Sequence, residues 1–108
     1  MGYQTDFMLT TTAYLDEEIV KKIGDRLDEI STYRFEESDG DFYLYNAKWY
    51  DSHEDMLELS KEFPEYVFQL DGNGEGNDDV WRQYYKDGKS QNANARVIYD
   101  DFDESRLK

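Results

Sequence analysis

From Leu15 to Ile30 the apolar residues Leu15, Ile19, Ile23, Leu27 and Ile30 recur every three or four positions. That spacing gathers them on one face of an α-helix; a strand would need alternation every second residue. Just before it, Tyr3 to Thr12 (YQTDFMLTTT) is β-prone and reads as a strand. The change of period predicts a helix over 16–30 that lays its apolar stripe on a sheet. Thr12 or Asp16 is placed to cap it, with Asp16, Glu17 and Glu18 at its positive end. Gly24 is expected on the solvent side, where it weakens the helix slightly.

The same alternation of periods continues. Tyr33 to Glu37 and Asp41 to Tyr50 flank Ser-Asp-Gly, a turn-forming sequence, and predict a β-hairpin. Its second arm, DFYLYNAKWY, is apolar on both faces, with Phe42 and Leu44 on one and Tyr43, Tyr45, Ala47 and Trp49 on the other. Ser52 to Phe63 reads as a second helix, capped by Asp51 or Ser52 and stopped by Pro64. Tyr66 to Leu70 is the next strand, and Val80 to Lys86 and Ala93 to Tyr99 flank DGKSQ as a final hairpin. The order β-α-β-β-α-β plus a hairpin predicts an α+β chain of ferredoxin-like plan, with two helices on one face of an antiparallel sheet. The 108 residues suit one domain over 1–108, with an acidic tail at 100–108 expected to fray unless Phe102 or Leu107 docks.

Charge dominates the composition. Twenty-six acidic against twelve basic residues give a formal net charge of -14, beyond what solubility asks of a small domain. A disordered acidic chain is poor in aromatics, whereas this one is 17% aromatic, so it is expected to fold. Such a field repels nucleic acid and draws in basic surfaces. With no cysteine, neither disulfides nor thiolate metal sites are open to it. No apolar run approaches the roughly 20 residues of a membrane span, and MGYQTDFMLTTT carries no signal pattern, so the expectation is a cytoplasmic protein of a host cell.

The segment EFPEYVFQLDGNGEGNDDVWRQYYKDGK, with the preceding Trp49 and the acid-rich helix, resembles small ferredoxin-like proteins of phages and plasmids, the YubB type. The matching pieces are Pro64 after a helix, Gly74-Glu75 in a turn, Trp81 on the following strand and Gly88-Lys89 at the next turn. The resemblance covers about the second half of the chain. It implies a phage or mobile-element origin and the same fold, and it implies no catalytic residues.

Candidate chemistry is sparse. DGNGEGNDD, Asp71 to Asp79, follows a calcium-loop pattern through Asp71, Asn73, Glu75, Gly76, Asn77 and Asp79. The bidentate glutamate required at the twelfth position is instead Arg82, and the flanks read as strands. The loop is therefore read as an acidic connection with no specific metal site. His53 is the single histidine, with no second histidine or cysteine nucleophile to complete a zinc site or triad. The aromatic strand lacks the basic and glycine positions of an RNA-recognition signature, and at -14 phosphate is repelled.

The second helix carries the sharper signal. Met56, Leu57, Leu59, Ser60 and Phe63 form one face, and Asp51, Glu54, Asp55, Glu58 and Glu62 fall within an arc of about 100° opposite, interrupted by Lys61. Carboxylates four residues apart advance about 6 Å, a row loosely like a phosphate backbone. With Glu75, Asp78 and Asp79 extending the row and Tyr43, Tyr45 and Tyr84 as aromatic anchors, the expected function is binding without catalysis or cofactor. The expected partner is a basic nucleic-acid-binding host protein, inhibited as by a DNA mimic; CRISPR effectors and restriction enzymes belong to that class. The alternatives are an assembly module, including a homo-oligomer, that uses its open sheet face, or a weak metal-binding domain.

Overall fold

The computed structural model describes residues 4–11, 15–74, 80–93 and 102–107. Along these run β1 (Thr5–Thr11), α1 (Glu17–Ser31), β2 (Glu36–Ser38), β3 (Asp41–Ala47), α2 (Ser52–Glu62), β4 (Phe68–Gly74), β5 (Val80–Lys86) and β6 (Lys89–Ala93). The fold is α+β. The strands form one antiparallel sheet in the order β2-β3-β1-β4-β5-β6.

Register settles which side chains share a face. Leu9 lies opposite Phe42 on β3 and Leu70 on β4, and Phe7 lies opposite Leu44 and Gly72. Phe7, Leu9, Phe42, Leu44, Phe68 and Leu70 meet Ile23 and Leu27 of α1 and Met56 and Leu59 of α2 in one buried cluster. Both helices therefore cover the Phe7 and Leu9 face. The other face presents Met8, Tyr43 and Asp71, which are register partners across β3, β1 and β4.

Helix α1 begins where Asp16 accepts a hydrogen bond from the Ile19 N–H (2.9 Å), so Asp16 rather than Thr12 is the cap. It ends in a left-handed Thr32, and the Asp28 carboxylate takes the Phe35 N–H (2.9 Å), turning Phe35 into the core. Gly24 is not on the solvent side. A Cβ there would lie 2.9 Å from the Phe42 ring, so the missing side chain is what admits Phe42 against α1.

Both hairpins turn on Asp-Gly. Asp39 (φ 53°) and Gly40 (φ 86°) join β2 to β3, and Asp87 (φ 47°) and Gly88 (φ 75°) join β5 to β6. Two central residues at positive φ make a tight two-residue turn that matches the strand twist. The second hairpin therefore pairs Lys86 with Lys89 and returns along Lys89–Ala93, not along the expected Ala93 to Tyr99. Of that expected arm, residues 94–99 lie outside the described residues.

A β-bulge corrects a second expectation. From Phe7 to Thr5 β1 advances two residues, while β3 advances three, from Leu44 to Ala47. Asn46 absorbs the extra residue at φ 51°, and its N–H donates to Asp6 Oδ1 (2.8 Å). The phase of the strand flips there. Ala47 and Trp49 turn into the core instead of sharing the face of Tyr43 and Tyr45. Trp49 then makes edge-on ring contacts with Phe7 (5.2 Å) and Phe35 (5.3 Å). In the tail, Glu104–Arg106 forms one 3-10 turn, and Phe102 and Leu107 stand exposed rather than docked.

Candidate functional site

The carboxylate row of α2 is three different environments. Asp51 and Glu54 are exposed and form no ion pair among the described residues. Asp55 turns toward Trp49, whose indole N–H donates to its Oδ2 at 2.7 Å. Burial pushes the Asp55 carboxyl above its ordinary value, against the lowering effect of that hydrogen bond, and Asp51, Glu58 and Glu54 add repulsion. Glu58 and Glu62 face α1, where Arg26 reaches across: its Nε lies 2.6 Å from one Glu62 oxygen, and an Nη lies 3.7 Å from Glu58. The hydrogen bond to Glu62 is the main influence raising the Arg26 guanidinium. Of the row, Asp51 and Glu54 remain free of such contacts. Glu75, Asp78 and Asp79 lie outside the described residues.

At the start of α2, His53 Nδ1 lies 3.1 Å from Tyr85 Oη and 3.3 Å from Gln83 Oε1. The Tyr85 hydroxyl donates to Gln83 Oε1, and Gln83 Nε2 donates to Asn92 Oδ1 (2.8 Å). With its proton committed to Gln83, Tyr85 Oη is left to accept from His53 Nδ1–H. Tyr85 is 1% exposed, and burial, then the Glu54 charge, push its hydroxyl up to about 12. The chain of bonds ties α2 to β5 and β6; it leaves His53 engaged rather than idle.

The fold also assembles carboxylates that the helical pattern did not group. A cleft of about 1100 Å³ opens between α1 and the β2–β3 hairpin. Its walls carry Glu17, Asp25 and Asp28 from the helix and Glu37, Asp39 and Asp41 from the hairpin, against a single lysine, Lys21. Lys21 is itself bound to Asp25 at 2.9 Å. Phe35 and Phe42 floor the cleft, so its acids belong to the helix-covered side of the sheet.

Tyr43, Tyr45 and Tyr84 lie on the opposite side. Tyr43 and Tyr45 stack with ring centroids 6.3 Å apart and planes within 8°. Tyr45 is 56% exposed. They border a groove of about 610 Å³ with Met8, Asp6, Val80 and Ala93. Tyr84 follows Arg82 by two positions on β5 and pairs with Gln69 across the ladder. The expected aromatic anchors and the expected acidic row are therefore separated by the thickness of the sheet.

Asp71 is a strand residue. It sits within β4, opposite Arg82, and takes a two-pronged contact from that guanidinium (2.7 and 3.2 Å). This commits the first position of the calcium-like pattern to the cation at its twelfth. Among the described residues no group of three or more His, Cys, Asp or Glu is placed to hold a metal ion. No described helix is long and apolar enough to cross a membrane. Comparison with family models, with curated proteins and with solved structures finds no match.

Proposed function

We propose that this chain is an acidic interaction protein of phage or mobile-element origin. It binds a basic nucleic-acid-binding protein of the host cell and inhibits it by occupying its cationic channel, without catalysis. Its first six elements are read as a ferredoxin-like β-α-β-β-α-β unit, with the β5–β6 hairpin added beside β4. The antiparallel order β2-β3-β1-β4 and the placement of both helices over one face support that plan.

The observation that carries the functional reading is the acidic cleft between α1 and the β2–β3 hairpin. Six carboxylates from two separate stretches converge there with one lysine, on a chain of net charge -14. A cationic channel meeting this side gains approach rate and orientation from the field, and nucleic acid itself is repelled. Asp51 and Glu54 extend the negative side along α2, while Arg26 tempers Glu58 and Glu62.

Affinity capture from host lysate tests this. Wild type is set beside Asp39→Lys/Asp41→Lys and Glu54→Lys variants, and the captured protein is assayed for nucleic-acid binding with and without the inhibitor. The reading holds if one basic nucleic-acid-binding protein is retained by wild type, released by the variants and blocked when bound. Retention by all forms, with nucleic-acid binding intact, would sink it.

A second reading is favoured by the groove beside Tyr43 and Tyr45: an assembly module that works through the open sheet face. Salt separates the two. Charge-driven association slows steeply as ionic strength rises, whereas an apolar sheet contact hardly changes.

A further inference from the structure

The open face places tyrosines beside carboxylates on both sides of Met8. On one side of Met8, the Arg82 guanidinium lies against the Asp71 carboxylate, with Tyr84 two positions further along β5. On the other side, Tyr43 and Tyr45 present parallel rings, with Asp6 in the same groove and Glu36 directly across the ladder from Tyr43. Met8 is the register partner of both Tyr43 and Asp71, so it sits between the two arrangements. Only the first holds a cation, Arg82, which is bound to Asp71 and lines the far part of the groove that Tyr43 and Tyr45 border. Among the described residues, neither Asp6 nor Glu36 forms an ion pair, and no cationic side chain lies on the Tyr43 or Tyr45 ring.

We infer that the Tyr43–Tyr45 half of the open face is a receptor for an arginine side chain of a cationic partner protein. A guanidinium is flat, stacks on an aromatic face and keeps its N–H donors in plane for carboxylates at the rim. The Tyr45 ring supplies the exposed face, and Asp6 and Glu36 supply the rim. The aliphatic stem lies in the groove over Met8, on the neighbouring strand. Lysine fits less well, because its ammonium is a compact, strongly hydrated point charge. A second copy of this chain is opposed by repulsion between two bodies of -14 each. The receptor stands on the face opposite the acidic cleft, and its existence does not depend on the inhibitor reading.

The test is a titration of the full chain with deca-arginine and, separately, deca-lysine at about 150 mM salt, where long-range attraction is screened. Assigned backbone amide resonances report both the site and the affinity. The expected result is that amides of Met8, Tyr43 and Tyr45 move more than those of α2, and that the arginine peptide binds more tightly. Tyr43→Val with Tyr45→Val, which keeps β-propensity, lowers affinity for deca-arginine by about 2- to 30-fold, and the paired Phe variants retain it. The spectra show whether each variant is folded; if the Val pair is not, the wild-type and Phe maps decide.

Equal binding of both peptides, with shifts confined to α1, α2 and the β2–β3 hairpin, overturns the receptor and leaves the inhibitor reading standing. Open-face shifts with an arginine preference, unchanged by Asp39→Lys/Asp41→Lys, establish the receptor even if capture from lysate fails. No shift with either peptide overturns the receptor.

Discussion

The two faces of the sheet use the same strands and residues one position apart, yet they solve different problems. On the covered face, Phe7, Leu9, Phe42, Leu44, Phe68 and Leu70 are almost wholly buried beneath α1 and α2. The polar groups admitted there are tied down: Asp55 holds the Trp49 indole, Ser60 takes the Gly88 N–H (2.8 Å), and Tyr85 links His53 to Gln83. On the open face, Met8, Tyr43 and Tyr84 are only half-buried, and Tyr45 is exposed. Burial on one face makes the fold. Partial exposure of aromatics on the other is what a binding surface requires.

The largest effect that could break this contrast comes from neighbouring residues on β1. Leu9→Ala removes a side chain buried to 0% exposure and is expected to cost about 2–5 kcal/mol in chemical denaturation. Met8→Ala, on the half-buried face, is expected to cost about 1 kcal/mol or less. Equal losses would mean that the second face is covered as well as the first.

Asp55 offers a smaller and sharper test. Asp55→Ala strips the acceptor from the buried Trp49 N–H and is expected to cost about 1–3 kcal/mol. Asp55→Asn keeps an acceptor and removes the charge. Because burial raises this carboxyl above its unfolded value, the native state holds the proton more readily than the unfolded chain. Its contribution is thus fullest at low pH and is lost as pH rises through the raised value. The Asn variant should therefore gain on wild type at about pH 7 and match it at about pH 3, as read from denaturation midpoints at each pH.

Next in size is the bulge that divides β3 between the faces. Asp6→Ala leaves the Asn46 N–H without its carboxylate and is expected to cost about 1 kcal/mol. Near-ultraviolet circular dichroism of Trp49 reports whether the inward turn of Ala47 and Trp49 survives. An unchanged spectrum with unchanged stability would mean that the bulge holds without Asp6.

Local patterns made much of this architecture legible. The apolar spacing gave α1 to within a residue or two, and Pro64 lies just beyond α2. Asp39-Gly40 and Asp87-Gly88 were both readable as turns, yet the polar residues after the second hid how soon its returning strand begins. Lys89–Ala93 (KSQNA) has no β-branched or aromatic residue, and it becomes a strand through pairing with β5 rather than through propensity. The bulge was hidden for a different reason: its carboxylate lies forty residues away, on another strand. The acidic cleft was likewise invisible along the chain, because Glu17, Asp25 and Asp28 meet Glu37, Asp39 and Asp41 only after the hairpin folds beside α1. The helical wheel of α2 grouped its acids on one arc, but it could not show that Asp55 would turn to the Trp49 indole or that α1 would bring Arg26 to Glu58 and Glu62.

That cation gives the smallest effect, and it bears directly on the covered side as a negative surface. Arg26 binds Glu62 and Glu58 and also lies 3.2 Å from Glu29, so one guanidinium offsets three carboxylates between the helices. All four side chains reach solvent, where such pairs add little to stability and are weakened by salt. Arg26→Gln should leave the denaturation midpoint nearly unchanged at high salt. It should raise the association rate of a cationic partner for the helical side by roughly twofold at low salt, because the row Glu54, Glu58 and Glu62 is then uncompensated. Stopped-flow mixing with deca-lysine over a range of ionic strength measures this. A faster rate that converges on wild type as salt rises would place the working negative surface across both helices. An unchanged rate would confine it to the cleft beside the β2–β3 hairpin, where Lys21 rather than Arg26 is the neighbouring cation.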